Sequence, residues 1–252
     1  MTYIEGFVLA VPTANKQAFR DHAGKVAEIT RELGVERQVE AWADDVEHGK
    51  ITDFYRAVDA KENETIVFAW FEYPSKAARD SANEKFRSDP RMQDLGDIPF
   101  DGKRLIIGGF DAIVEEGSAG GGYTDGFVVP VPEGKRAAYG ELAAKMAKVF
   151  RQNGANRVIE AFGDDVPKGE VTDFYRAVKA EQGEGVVFSF IEWPDKATHD
   201  AAWKAIMADE SLKPQGEMPF NGQRMFWGGF DPILDTAKQP AERAQPRATQ
   251  PA

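Results

Sequence analysis

TDFYRAV stands at Thr52–Val58 and again, unchanged, at Thr172–Val178. Working outward from that heptapeptide, the flanking sequence repeats too. GFVLAVP at Gly6–Pro12 returns as GFVVPVP at Gly126–Pro132, and DDV at Asp44–Val46 returns at Asp164–Val166. PFDGKR at Pro99–Arg104 becomes PFNGQR at Pro219–Arg224, and GGFD at Gly108–Asp111 recurs at Gly228–Asp231. All these pairs share one spacing of about 120 residues, without an insertion, and roughly two-fifths of the aligned positions are identical. A gapless match of that length marks a tandem duplication, and each unit is long enough to hold its own core. The repeats are residues 1–114 and 123–235. Between them lies the Gly-rich linker 115–122, EEGSAGGG, whose random-coil reach of roughly 15 Å keeps the copies close. The tail 236–252, rich in Pro, Ala and Gln, reads as disordered.

Each repeat reads as strand, helix, strand, strand, helix, strand. Tyr3–Val11 is β-rich. From Lys16 to Leu33, Phe19, Ala23, Val26, Ile29 and Leu33 fall at helical spacing, and Gly34 stands where a helix ends. Gln38–Ala43 and Thr65–Tyr73 are strands by β-branched and aromatic content. Ser75, or Asp195 in the second copy, caps a second helix ending near Asp89. Arg104–Val114 closes the unit, with Gly108-Gly109 placed for a bend or bulge. The order βαββαβ is that of a ferredoxin-like unit. Such a unit covers only one sheet face with helices, so the other must be hidden. The expected α+β fold is therefore two ferredoxin-like repeats packed sheet to sheet as an intrachain pseudo-dimeric α/β barrel. The phases expected are Gly6, Ala10, Ala41 and Ala69 toward the helices, and Phe7, Trp42, Phe68, Trp70 and Phe110 toward the interior.

The motifs GFV-x-x-VP, DDV-x-x-GK-[IV]-TDF-x-RAV and PF-[DN]-G-x-R…GGF resemble the YbaA-like family, a domain of unknown function. The resemblance covers both repeats. It implies the dimeric α/β-barrel superfamily and a homodimer joined covalently here, but it brings no catalytic residues to transfer. The wider superfamily includes cofactor-free monooxygenases, isomerases and haem enzymes.

Composition narrows the function. The 252 residues carry a formal charge of -11 and no cysteine. That excludes disulfides and thiolate chemistry, and it makes nucleic acid and anionic membrane poor partners. No apolar run reaches the roughly 18–20 residues of a membrane span, and the amino terminus lacks a basic signal region, so the expected setting is cytoplasmic. Only His22, His48 and His199 occur, none with a histidine at its counterpart, which argues against a paired histidine metal site or a symmetric haem ligand.

Charged residues in an aromatic strand phase are the chemical candidates, because a charge facing a barrel interior is costly unless paired or hydrated. Glu5, Glu40, Glu72 and Arg104 share that phase, with Asp125, Glu160, Glu192 and Arg224 in the second copy. Glu40, Glu72, Glu160 and Glu192 are the candidate acid–base residues. Arg104 and Arg224 are candidate anion holders, although Glu–Arg pairs serve structure equally well. Tyr3, Trp42, Trp70, Tyr123, Phe162 and Trp227 are candidate ligand walls, and Arg56 and Arg176 candidate polar contacts. Asp44, Asp45 and Asp53 have oxygen ligands suited to a hard cation, but their spacing fits ordinary turn chemistry and no metal is expected.

Together these features point to a soluble protein that binds an unidentified small molecule inside the barrel or at its mouths. The family resemblance extends this to a cofactor-independent enzyme of monooxygenase or isomerase type. The alternative is a non-catalytic structural or protein-interaction module. RNA binding fits less well, since the aromatics close the barrel and the charge has the wrong sign.

Overall fold

A computed structural model of the chain describes residues 2–213 and 216–237. In the first repeat, β1 (Tyr3–Pro12) leads to α1 (Lys16–Leu33), β2 (Arg37–Asp45), the single turn α2 (Phe54–Ala57), β3 (Glu64–Tyr73), α3 (Lys76–Ser88) and β4 (Ile106–Gly117). The second repeat follows the same order. It comprises β5 (Tyr123–Pro132), α4 (Arg136–Gln152), β6 (Arg157–Asp165), α5 (Phe174–Ala177), β7 (Glu184–Trp193), α6 (Lys196–Ala208) and β8 (Phe226–Asp235). The expected caps are in place. Gly34 ends α1 in a left-handed conformation at φ 111°, and Ser75 Oγ accepts the Ala78 N–H at 3.2 Å. Asp195 does the same for Thr198 at 2.8 Å.

The eight strands close into one barrel in the order β1-β3-β2-β8-β5-β7-β6-β4. Each repeat contributes four consecutive strands, and all the pairings are antiparallel. The seams between repeats are β2 with β8 and β4 with β6. Bulges fall on both seams, one of them at Gly109/Phe110 as the paired glycines suggest. The closing strand differs from its expected bounds at both ends. Arg104 sits before β4 in a 3-10 turn, and Glu115–Gly117 of the supposed linker extend the strand to pair with β6. The tail, beyond Ala237, lies outside the described residues.

Register corrects the expected phases. Gly6 lies opposite Trp70, whereas Phe7 lies opposite Ala69. The interior therefore holds Gly6, Ala10 and Ala41 together with Phe68, Trp70 and Phe110, while Phe7 and Trp42 pack under the helices. The rings need the space that the small residues leave. Phe68 and Phe188 stack at 4.4 Å across the pseudo-twofold axis, and Trp70 stacks on Phe190 at 4.2 Å. A Cβ on Gly6 would come within 2.8 Å of the Phe188 ring, and one on Gly126 equally close to Phe68.

Both barrel ends are closed by reciprocal contacts. At one end sit the α2 and α5 turns. Phe54 lies edge-on to Phe230 at 5.2 Å, as Phe174 does to Phe110. Thr52 donates to the Ala177 carbonyl and Thr172 to that of Ala57, each at 2.6 Å. Asp53 caps its own turn through the Arg56 N–H at 2.7 Å, as Asp173 does at 2.8 Å, so this aspartate serves the backbone. At the other end Arg37 binds Glu192 (2.5 Å), Glu72 (3.0 Å) and Asp235 (2.9 Å), while Arg157 binds Glu72 (2.9 Å) and Glu115 (2.6 Å).

Removing a ring from the axis leaves a cavity that its neighbours cannot collapse into. Phe68→Ala should therefore cost about 3–5 kcal/mol of stability. Urea unfolding reads this directly, and a loss below about 1 kcal/mol would contradict the packing described.

Candidate functional site

The carboxylates divide by face. Glu72 and Glu192 point into the barrel and are consumed by the arginine network. Trp70 Nε1 also donates to Glu72 at 3.0 Å. Glu40 and Glu160 alternate to the opposite face and look toward the helices. The interior is filled by stacked rings, so the expected interior site gives way to a cavity between sheet and helices in each repeat.

The first-repeat cavity is about 470 Å³ and lies between α1, α3 and the outer face of the sheet. Its walls are apolar, with Phe7, Phe19, Phe71, Phe86 and Phe100 among them. Glu40 lies on its polar side and is only 7% exposed. Gln38 Nε2 donates to Glu40 Oε1 at 2.9 Å, and Gln38 is itself held by the Thr30 hydroxyl at 3.2 Å. Glu40 Oε2 has no hydrogen-bond partner among the described residues. It is not a sealed orphan either, so it opens to the cavity. Burial pushes the Glu40 carboxyl from the usual 4.5 up to about 8, against the opposing pull of Gln38. Glu5 shares the cavity and is also raised by burial. It differs in having two donors, Asn83 Nδ2 at 2.7 Å and the Tyr73 hydroxyl at 3.3 Å, and an ion pair with Arg79 at 3.6 Å.

The second-repeat cavity is smaller, about 250 Å³. Asn83 is replaced there by Trp203, whose ring lies 5.4 Å from Phe150 and 5.7 Å from Trp227. Glu160 is bound by the Tyr139 hydroxyl at 2.7 Å and by Ser189, and burial raises it to about 7. Asp125, the counterpart of Glu5, takes donors from Trp193 (2.9 Å), Trp203 (2.8 Å) and His199 (2.9 Å).

The other sequence candidates fall elsewhere. Arg104 is occupied by Glu64 at 2.6 Å and Asp101 at 2.9 Å, and Arg224 by Glu184 at 2.6 Å, so neither waits for an anion. Arg56 and Arg176 lie at the surface beside their capping aspartates. Tyr3 and Tyr123 bridge the repeats through Asp164 and Asp44 at 3.2 and 2.9 Å. Trp42 packs on Phe19, Trp70 stacks inside the barrel, and Phe162 lies beneath the Arg136 guanidinium at 4.5 Å. Trp227 is half exposed and borders a separate polar cleft. Among the described residues no group of three or more His, Asp or Glu is placed to hold a metal ion, and no helix is long and apolar enough to cross a membrane. Gln38, Thr30 and Asn83 complete the cavity's polar side and were not evident in the sequence. The signal for Asn83 was its replacement by tryptophan at the matching position.

A family model described as "Protein of unknown function (DUF1428)" matches residues 2–102 and 122–222. The chain belongs to the DUF1428 family. Among curated relatives, the uncharacterized protein YbaA of Escherichia coli K12 is 56% identical over 117 residues, all of YbaA and 46% of this chain. The YbaA of Shigella flexneri matches equally. Each DUF1428 repeat here thus has the span of one whole YbaA chain. A solved protein of Fusobacterium nucleatum described as a "putative monooxygenase" aligns at TM-score 0.55 and 10% identity, covering 93% of both chains. Another so described, from Lactobacillus acidophilus, aligns at 0.57 and 9% identity, covering 93% of this chain and 95% of that one. At such identities the likeness is one of fold.

The raised Glu40 carboxyl links stability to pH. Folding keeps it protonated where the unfolded chain would ionise. Its contribution is therefore fully present below about pH 4.5 and is lost as pH rises toward about 8. Glu40→Gln should remove this loss, so that the variant gains on the wild type between pH 5 and 8. Thermal melts across that range check it, and parallel curves would show that Glu40 is ionised in the folded chain.

Proposed function

We propose that the chain binds a small, largely apolar molecule in the first-repeat cavity, with Glu40 as its polar anchor and proton-handling group. One observation carries the reading. A buried carboxyl with a free oxygen faces a cavity of small-ligand size whose walls are otherwise mostly apolar. A carboxyl near pKa 8 is mostly protonated at neutral pH, and its ionised minority is the form that acts as a base. Its Oε2 can take a proton from an acidic C–H, O–H or N–H of a bound molecule and return it to a second atom. That proton transfer is common to isomerases and to cofactor-independent oxygenases, and the fold likeness to two proteins described as monooxygenases is compatible with either.

The second repeat supports a different role. With Trp203 in place of Asn83 and the Tyr139 hydroxyl bound to Glu160, its smaller cavity reads as structural. Duplication would then have left one working site and one support. Glu72 and Glu192, tied into the arginine network, also belong to the structure and not to the site.

A neutral environment-sensitive dye such as prodan should bind with about one equivalent per chain and a blue-shifted emission. Asn83→Trp, which copies the second repeat, should weaken binding at least about tenfold. Trp203→Asn should add a second equivalent. Fluorescence titration reads all three, and a dye indifferent to both substitutions would remove the cavity from consideration.

A further inference from the structure

Glu40 breaks a pattern that most buried acids of the molecule keep. Among the described residues, every other buried carboxylate except Glu160, which takes the Tyr139 hydroxyl at 2.7 Å, has an arginine or histidine nitrogen within 4.0 Å. Glu5 has Arg79 at 3.6 Å, Glu64 has Arg104 at 2.6 Å, and Asp125 has His199 at 2.9 Å. Glu72, Glu192 and Asp235 share Arg37, while Asp53 and Asp173 have the arginine three residues on. Glu40 has a single neutral donor, Gln38. At those acids the fold meets the cost of burial with a basic side chain. At Glu40 the place where the cation would stand is the cavity itself.

Building on the proposed cavity site, we infer that its ligand supplies the missing partner: a basic nitrogen, carried on an apolar or aromatic body, that meets Glu40 Oε2. The walls suit such a body, since five phenylalanine rings line the cavity and ring faces attract cations. The other charged and titratable groups around the cavity agree. Glu5 from β1 adds negative charge, and Tyr73 from β3 already donates to Glu5. His22 from α1 is held toward its neutral form by burial and by Lys25. Arg87 from α3 is exposed at the rim. Among the described residues no cation stands beside Glu40 to receive a carboxylate or phosphate. The second repeat does not share the inference, because its cavity is smaller and the Tyr139 hydroxyl already binds Glu160 at 2.7 Å.

Binding of this kind has a proton balance. An ammonium ion entering beside a protonated Glu40 forms an ion pair and releases the carboxyl proton to solvent, with no covalent bond made or broken. Affinity therefore rises with pH until Glu40 is ionised, by up to about tenfold per pH unit.

Three probes of one shape separate the possibilities: 2-phenylethylamine, 2-phenylethanol and phenylacetate, titrated calorimetrically into the intact chain at pH 6 and pH 8. The amine is expected to bind tightest, at least about tenfold tighter at pH 8 than at pH 6. At pH 6 it should release close to one proton, read from two buffers of different ionisation enthalpy. Glu40→Gln should abolish the amine's advantage and leave the alcohol unchanged. The wild-type proton release stands on its own should that variant fold poorly. Equal affinity for amine and alcohol, or tightest binding by phenylacetate through the rim Arg87, would overturn the basic-nitrogen assignment while leaving the cavity site intact. If none of the probes binds and the neutral dye also fails, the cavity site falls with it.

Discussion

Everything in this molecule depends on two glycines making room for two rings. Gly6 accepts the face of Phe188 and Gly126 that of Phe68, so the rings of opposite repeats stack on the pseudo-twofold axis. A four-stranded ferredoxin-like sheet leaves one apolar face uncovered, and an exposed face of that size is not tolerated by a folded chain. The ring pair and its glycine sockets bring the two bare faces together closely enough for β2 to join β8 and β4 to join β6. Once the barrel has closed, its interior is committed to packing, and chemistry is displaced to the helix side.

That displacement explains how the copies diverge. Residues on the barrel axis contact their own counterparts, so a change in one repeat is felt by the other. The helix-side cavities are separated by the whole barrel. Asn83 and Gln38 line the first cavity, whereas their counterparts Trp203 and Val158 do not line the second. Arg79 against His199 likewise gives the two buried acids, Glu5 and Asp125, cations of different character. The unchanged heptapeptide is the opposite case. Its threonines bond across to the partner copy's alanine carbonyls, and its aspartates cap their own turns.

Much of the architecture was legible in the sequence. The duplication, the element order, the caps at Ser75 and Gly34 and the closure into one barrel follow from repeats and periodicity. The site was legible only in part. Alternation assigns two faces to each strand, but it does not say which face of one strand joins which face of the next. That requires register, and here Gly6 opposite Trp70 sends the small residues inward and Glu40 outward. Small side chains were expected to admit helices. Ala69 does lie on the helix side, whereas Gly6, Ala10 and Ala41 turn inward, and Gly6 admits a ring from the other repeat. Local pattern places Arg104 in the closing strand, yet it lies in a turn where Glu64 and Asp101 claim it. The one donor to Glu40, Gln38, stands two residues away on the same face of β2, but the Thr30 hydroxyl of α1 that holds Gln38 arrives by tertiary contact, which no local pattern announces.

The short connection between β4 and β5 has a consequence for how the barrel persists in dilute solution. Ser118 and Gly122 are pinned to the Asn156 and Trp193 carbonyls, so the second half is delivered beside the first. Tethering of this kind holds each half at an effective concentration on the order of millimolar with respect to the other. A barrel made from two separate chains falls apart by mass action when diluted, whereas this one has no dissociation step available to it short of unfolding.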